Sequence, residues 1–270
     1  MLPIIIKRCR MKIKMWILFV VVFFSSIPSL YSQDYKTPVR ILVMTDVVIP
    51  SKADQYEQAQ KDMNVFLTNN FPTINWQCIQ FDKYEYNYIV DLKNYADIDA
   101  WNKARAEKMK TVDQVERKKL MDAFDGTISS YSRRIYTLDE KDSYTAKDPL
   151  VQPKDAMFLH FDYYELTPGK EDEALSIAHE ISAINEKQNL RTSTRIWRQN
   201  FGENNNAILL VRSDKNSPDF YSNMEKNNQA NSQEKKDLMK KFMTYVQKFD
   251  HWNGKLRPEL SITNEKAAAK

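Results

Sequence analysis

The chain has 270 residues, with 40 basic against 36 acidic side chains, four glycines, three histidines and two cysteines. Five of the basic residues (Lys7, Arg8, Arg10, Lys12 and Lys14) and none of the acidic ones fall before residue 33, so positions 33–270 carry 35 against 36. That near-neutral balance excludes a broad nucleic-acid or anionic-membrane footprint, and so few glycines, in no Rossmann, P-loop or serine-elbow pattern, exclude the glycine-built nucleotide and hydrolase sites.

In chain order, the first element is an export signal over 1–32. Its basic start, the apolar run 15–24 and the small and turn-forming residues up to Ser32 have the layout of a secretory leader, with Gln33 as the expected first mature residue. The apolar run falls well short of the roughly 20 residues that a spanning helix needs. The mature protein is therefore expected in the periplasm or outside the cell, with no stable membrane insertion. Cys9 leaves with the signal, so Cys78 has no partner for an internal bridge and is expected to behave as a small buried apolar residue.

Beyond the signal, one unit is written twice. Glu116-Arg117-Lys118-Lys119-Leu120-Met121-Asp122-Ala123-Phe124 recurs as Glu234-Lys235-Lys236-Asp237-Leu238-Met239-Lys240-Lys241-Phe242, and Pro50, Lys52 and Asp54 recur as Pro168, Lys170 and Asp172, always 118 residues on. Positions 39–49 and 157–166 are rich in strand formers and lead to these prolines. Tyr56, Ala59, Met63 and Phe66, answered by Ala174, Ile177, Ile181 and Ile184, then mark one face of a helix. Two strand-like runs come next in each copy, 74–81 with 86–92 and 193–199 with 207–212, each close enough for a hairpin. A second helix starts near Asp97 or Ser217. A long helix then carries the repeated motif, with Leu120, Met121, Phe124, Ile128 and Tyr131 matched by Leu238, Met239, Phe242, Val246 and Phe249. Short extended pieces at 134–138 and 256–262 close the copies. The boundaries expected are a first repeat over 33–138, a polar, proline-bearing linker over 139–155, a second repeat over 156–263 and a loose tail over 264–270.

The order strand, helix, strand, strand, helix, helix, strand is the ferredoxin-like βαββαβ pattern with one extra helix. In element order and duplication the chain resembles the dimeric α+β barrel superfamily, which includes NIPSNAP-type, antibiotic-biosynthesis-monooxygenase-type and EthD-type domains. The resemblance implies an α+β fold in which the tandem repeats pack as an intramolecular dimeric α+β barrel, a monomer with an internal pseudo-dimer. The physical demand is that one sheet face is covered by helices and the other needs a partner.

Sites are expected where the copies differ. Alternation puts Ile41 and Val43, with Leu159 and Phe161, on one face of the first strands, expected to be the helix side. The opposite face, expected to line the space between the sheets, reads Leu42, Met44 and Asp46 in one copy but His160, Asp162 and Tyr164 in the other. Such polar residues are costly to bury without partners. Arg195, Trp197 and Arg198 on the next strand add cations and a stacking surface. Three readings arise: a satisfied polar core, an exported protein binding a small organic molecule between the sheets through His160, Asp162, Tyr164, Arg195, Trp197 and Arg198, and a cofactor-independent monooxygenase- or isomerase-like enzyme. In the last, which the resemblance suggests, His160 is the base and Arg195 stabilises negative charge. A non-catalytic interaction scaffold is the bland alternative. No metal spacing occurs among the histidines and no cofactor is expected. Haem is the alternative that the resemblance raises, and it would need a histidine such as His179 or His251 aimed into the barrel. Lys83, Tyr84, Tyr86 and Tyr88 form an aromatic stripe read as strand packing.

Overall fold

The computed structural model describes residues 38–71, 73–202, 206–229 and 232–263. The expected signal at 1–32 and tail at 264–270 lie outside them. The first half contains β1 (Arg40–Val48), α1 (Ala53–Asn70), β2 (Gln77–Phe81), β3 (Glu85–Leu92), α2 (Ala96–Met109), α3 (Gln114–Asp122) and β4 (Ile128–Tyr144). The second contains β5 (Phe158–Leu166), α4 (Glu171–Lys187), β6 (Thr194–Phe201), β7 (Ala207–Asp214), α5 (Ser217–Gln229), α6 (Gln233–Met243) and β8 (Val246–Leu256). This is the expected order, repeated.

The duplication reaches the backbone. Lys52, immediately before α1, has φ −116° and ψ 7°, and Lys170, before α4, has φ −117° and ψ 12°. The strand-ending prolines precede them by two residues, and Asp54 and Asp172 fall in the first helical turns, where the helix dipole favours a negative charge.

All strand pairs are antiparallel, and the eight strands close into one barrel in the order β1-β3-β2-β8-β5-β7-β6-β4. Two seams join the repeats. β4 is long enough to pair with β1 through its first half and with β6 from Ile135 onward, whereas the five-residue β2 meets β8 only from Gly254 to Leu256. The second seam is reinforced beyond the sheet. The Trp76 indole donates to the Leu260 carbonyl at 3.1 Å, and Leu260 and Ile262 complete the hydrophobic core under α1. Arg257 clamps Glu57 of α1 with hydrogen bonds of 2.6 and 2.9 Å. The chain's last described segment thus belongs physically to the first repeat.

Three expectations need correction. The motif helices α3 and α6 are short, and Ile128, Tyr131, Val246 and Phe249 lie in β4 and β8. Gly126, with φ 65°, turns the chain out of the helical region before Ile128, and the 4 and 3 spacing across that break only mimics a helical face. The linker begins later than expected, because residues 139–144 extend β4; their polarity reflects the sheet's rim.

The faces of β1 and β5 are also reversed. Leu42, Met44 and Val48 pack with the helix-side cores of the first repeat, and Tyr164 packs in that of the second. Leu159 and Phe161 instead join Ile79, Phe81, Leu209, Val211 and Trp252 inside the barrel. β1 and β5 have no exposed residue on either face, lying between the barrel's inside and the helices, so their apolar alternation has no sign. Polarity in β5 marks the layer beneath the helices and not the barrel's inside.

Candidate functional site

The six residues expected to form a site do not converge on one cavity. Arg195 and Trp197 alternate with Ile196, which faces the helices, and so belong to the barrel side of β6. Arg195 is exposed, and Arg198 points outward, 3.8 Å from Asp139. His160, Asp162 and Tyr164 lie on the far side of the sheet. The space between the sheets is packed where Ile79, Phe81 and Phe161 meet, and a Cβ on Gly254 would stand 2.5 Å from the Ile79 side chain and 2.7 Å from Phe81. A ligand between the sheets at that level has no room.

His160 and Asp162 instead centre a closed polar network. The His160 ring stacks on Phe220 of α5 with centroids 4.8 Å apart. Its Nε2 lies 3.1 Å from Asp162 Oδ1 and its Nδ1 lies 2.8 Å from Asn253 Oδ1. The other Asp162 oxygen accepts from Arg212, whose guanidinium also touches the Met224 sulfur. Burial pushes the His160 imidazole below its ordinary pKa and brings Arg212 down to about 10. Both imidazole nitrogens are engaged and the ring is covered, so His160 is not placed to act as a free base. Tyr164 is held between Phe242 and Phe249, with centroids 5.0 and 4.9 Å away.

The equivalent layer of the first repeat holds a cavity of about 230 Å³. Its floor is one row of the sheet, in which Met44 of β1 stands opposite Arg133 of β4 and Tyr88 of β3, with the Trp76 ring edge-on to Tyr88 at 5.8 Å between centroids. Gln60, Met63 and Leu67 of α1 form one wall. Trp101, Arg105 and Met109 of α2, at i, i+4 and i+8, form the roof, and Met121 and Phe124 close the side toward α3. α2 buries none of its residues fully. A helix that covers an open space has nothing to bury them against.

One carboxylate enters this apolar space. Asp46 accepts a 2.9 Å hydrogen bond from the Tyr56 hydroxyl, which lies 2.8 Å from the Tyr88 hydroxyl. Tyr56 has one proton and gives it to Asp46, so Tyr88 donates to Tyr56 and the relay points at the carboxylate. Burial raises the Asp46 pKa, while Tyr56 and then Arg133, 3.8 Å away, pull it back. Burial likewise pushes up both phenols, and the adjoining Cys78 thiol to about 12, which makes that cysteine inert.

The sequence carries only a faint signal for these residues, the run of methionines. Met44 and Met63 stand where the second repeat has Asp162 and Ile181, and flexible thioethers suit an adaptable wall. For haem, the donor set offers no imidazole. His160 is enclosed in its own network, His179 is exposed on α4 beside Asp142, and His251 is exposed on the outer side of β8; none lines the cavity. The residues present do not fit a histidine-ligated haem in this pocket.

No family model matches the chain, and no curated protein matches it. Solved structures do match. An anthrone oxidase-like protein aligns over 83% of this chain and 92% of its own, at 10% identity and a TM-score of 0.54. A chlorite dismutase variant from Candidatus Nitrospira defluvii aligns over 86% and 96%, at 9% identity and a TM-score of 0.51. At such identities the likeness is one of fold: this is a dimeric α+β barrel with both halves in one chain.

Proposed function

We propose that this is an exported protein that binds a small, largely apolar organic molecule, not between the sheets but in the cavity of the first repeat. The observation that carries the reading is the half-open pocket over Met44 and Tyr88, walled by aromatic and thioether side chains and entered by the single carboxylate of Asp46. Apolar clefts with a few convergent polar groups and a shifted pKa are where small ligands bind. An apolar cavity of about 150 Å³ accommodates benzene, so this one suits a molecule of one or two rings. Export is supported by the leader-like composition of 1–32.

Trp76 and Trp101 both line the space, so intrinsic fluorescence reports its filling. Titration with 2-methylnaphthalene is expected to quench it saturably, and Met63→Trp, which fills the cavity, is expected to abolish the response. No saturable change in the parent protein would remove the reading.

A second reading, cofactor-independent oxidation, is favoured by one observation: Asp46 is a partly desolvated carboxylate with a raised pKa and a tyrosine relay behind it, which suits a general base. An oxygen electrode with anthrone as substrate tests it. Uptake equal in the parent protein and Asp46→Asn would discard catalysis and leave binding.

A further inference from the structure

The cavity also carries information about the charge of what it takes. Its lining contains two cations, Arg105 and Arg133, against one anion, Asp46. The two guanidinium groups come from different layers, Arg133 from β4 of the sheet and Arg105 from the roof helix α2. Both are open to solvent, Arg133 at 48%, so they mark the mouth while Trp76, Phe71 and Leu67 make the interior.

Arg133 is not used up by Asp46. Their closest approach is 3.8 Å, beyond hydrogen-bond reach, and the Asp46 carboxylate takes its short bond from Tyr56 instead. The Arg133 guanidinium makes a 2.8 Å bond to the Ser132 carbonyl and lies 5.5 Å from the Tyr131 ring centre. These contacts fix the fork beside the cavity and leave other N–H groups to donate. A planar fork of this kind matches a carboxylate. A cationic head group at Asp46 would stand beside the Arg133 guanidinium, 3.8 Å from that carboxylate.

We infer that the ligand is a monoanionic amphiphile, with a carboxylate or similarly small anionic head at Arg105 and Arg133 and a ring-bearing hydrocarbon body turned inward over Met44 toward Trp76. The inference rests on the cavity being a binding site, and its test separates the two. Three naphthalenes that share one body, 2-naphthoate, 2-naphthamide and 2-naphthylmethylammonium, are titrated against the full mature chain by tryptophan fluorescence. Naphthoate is expected to bind at least about tenfold more tightly than the amide, and the ammonium most weakly. Arg133→Gln with Arg105→Gln is expected to bring the affinity ratio of naphthoate to amide to about one. Circular dichroism checks that the variant is folded, and Arg133→Lys should retain part of the preference. Equal binding of all three, or tighter binding of the ammonium, would overturn the anionic head alone. Failure of all three in the parent protein would overturn the cavity reading and this inference with it.

Discussion

Met44 and Asp162 are the same position of the repeat, 118 residues apart, and they stand opposite Arg133 and His251, which are likewise equivalent. At that position the first repeat has a neutral thioether and keeps a cavity above it. The second has a carboxylate, and ring, guanidinium and amide groups close over it. Duplicated scaffolding therefore holds two different interiors between sheet and helices, one that keeps a cavity and one filled by the protein's own side chains.

The filled layer makes a stability prediction. Asp162 is the only partner within hydrogen-bond distance that is charged opposite to Arg212 among the described residues, and removing one member of a buried pair leaves the other uncompensated. Asp162→Asn is expected to cost roughly 3–5 kcal/mol. Replacing both, as Asp162→Leu with Arg212→Met, should recover most of that. Urea unfolding of the single and double variants measures the difference, and additive losses would show that the pair is not the cause.

The same layer sets a pH dependence. Burial holds the His160 imidazole below its ordinary pKa, so between that depressed value and about 6.5 the unfolded chain binds more protons than the folded one. Stability from this group is full above about 6.5 and is lost as the pH falls through the folded value. Thermal melts between about pH 7.5 and 5 should therefore fall more steeply for the parent than for His160→Gln. Parallel curves would rule out His160 as the titrating group.

Gly254 carries a prediction about the barrel's inside. Its missing side chain lets Ile79 and Phe81 cross the short β2–β8 seam, where an added methyl would meet Ile79 at 2.5 Å. Gly254→Ala is expected to destabilise by about 1–3 kcal/mol through overpacking. Combining it with Ile79→Ala should cost less than the sum of the two single changes, because the nearest clashing atom is gone. Additivity in denaturant unfolding would contradict this account.

The same residues show how much was legible in the sequence. The 118-residue offset predicts one unit built twice, as the matched turns at Lys52 and Lys170 show, while the element order within each copy was legible from its apolar periodicity. The faces were not legible, because Ile41 and Leu42 are both buried, one inward and one under helices. Polarity in β5 draws attention to His160 and Asp162, but their partners come from other strands: Arg212 lies 50 residues beyond Asp162, and Asn253 lies 93 beyond His160. Conversely, the cavity is made of Met, Leu, Trp and Phe that read as ordinary core. Nothing in a linear pattern distinguishes an apolar wall facing a neighbour from one facing a void.

Cys78 offers a direct check of the first repeat's floor. Its thiol is buried beside Tyr88 and pushed up to about 12, so it should remain unmodified by a thiol-reactive disulfide reagent in the folded protein at about pH 8 and react fully in denaturant. Fast labelling of the native protein would mean that the floor is open where it is described as closed.

Asp46 supplies the sharpest test of the cavity's purpose. A group whose folded pKa is raised by burial gives its stability below the ordinary carboxyl range, and that contribution is lost as the pH rises through the folded value. At neutral pH the ionised carboxylate is therefore a burden on the fold. Asp46→Asn, which keeps an acceptor for the Tyr56 hydroxyl, is expected to raise the melting temperature at about pH 7, with the gain shrinking toward about pH 3.5. Residues retained at a cost to stability are those that a site requires. If the variant instead melts lower at every pH, Asp46 is a structural strut for Tyr56 and Tyr88, and neither the relay nor the carboxylate needs a ligand to explain it.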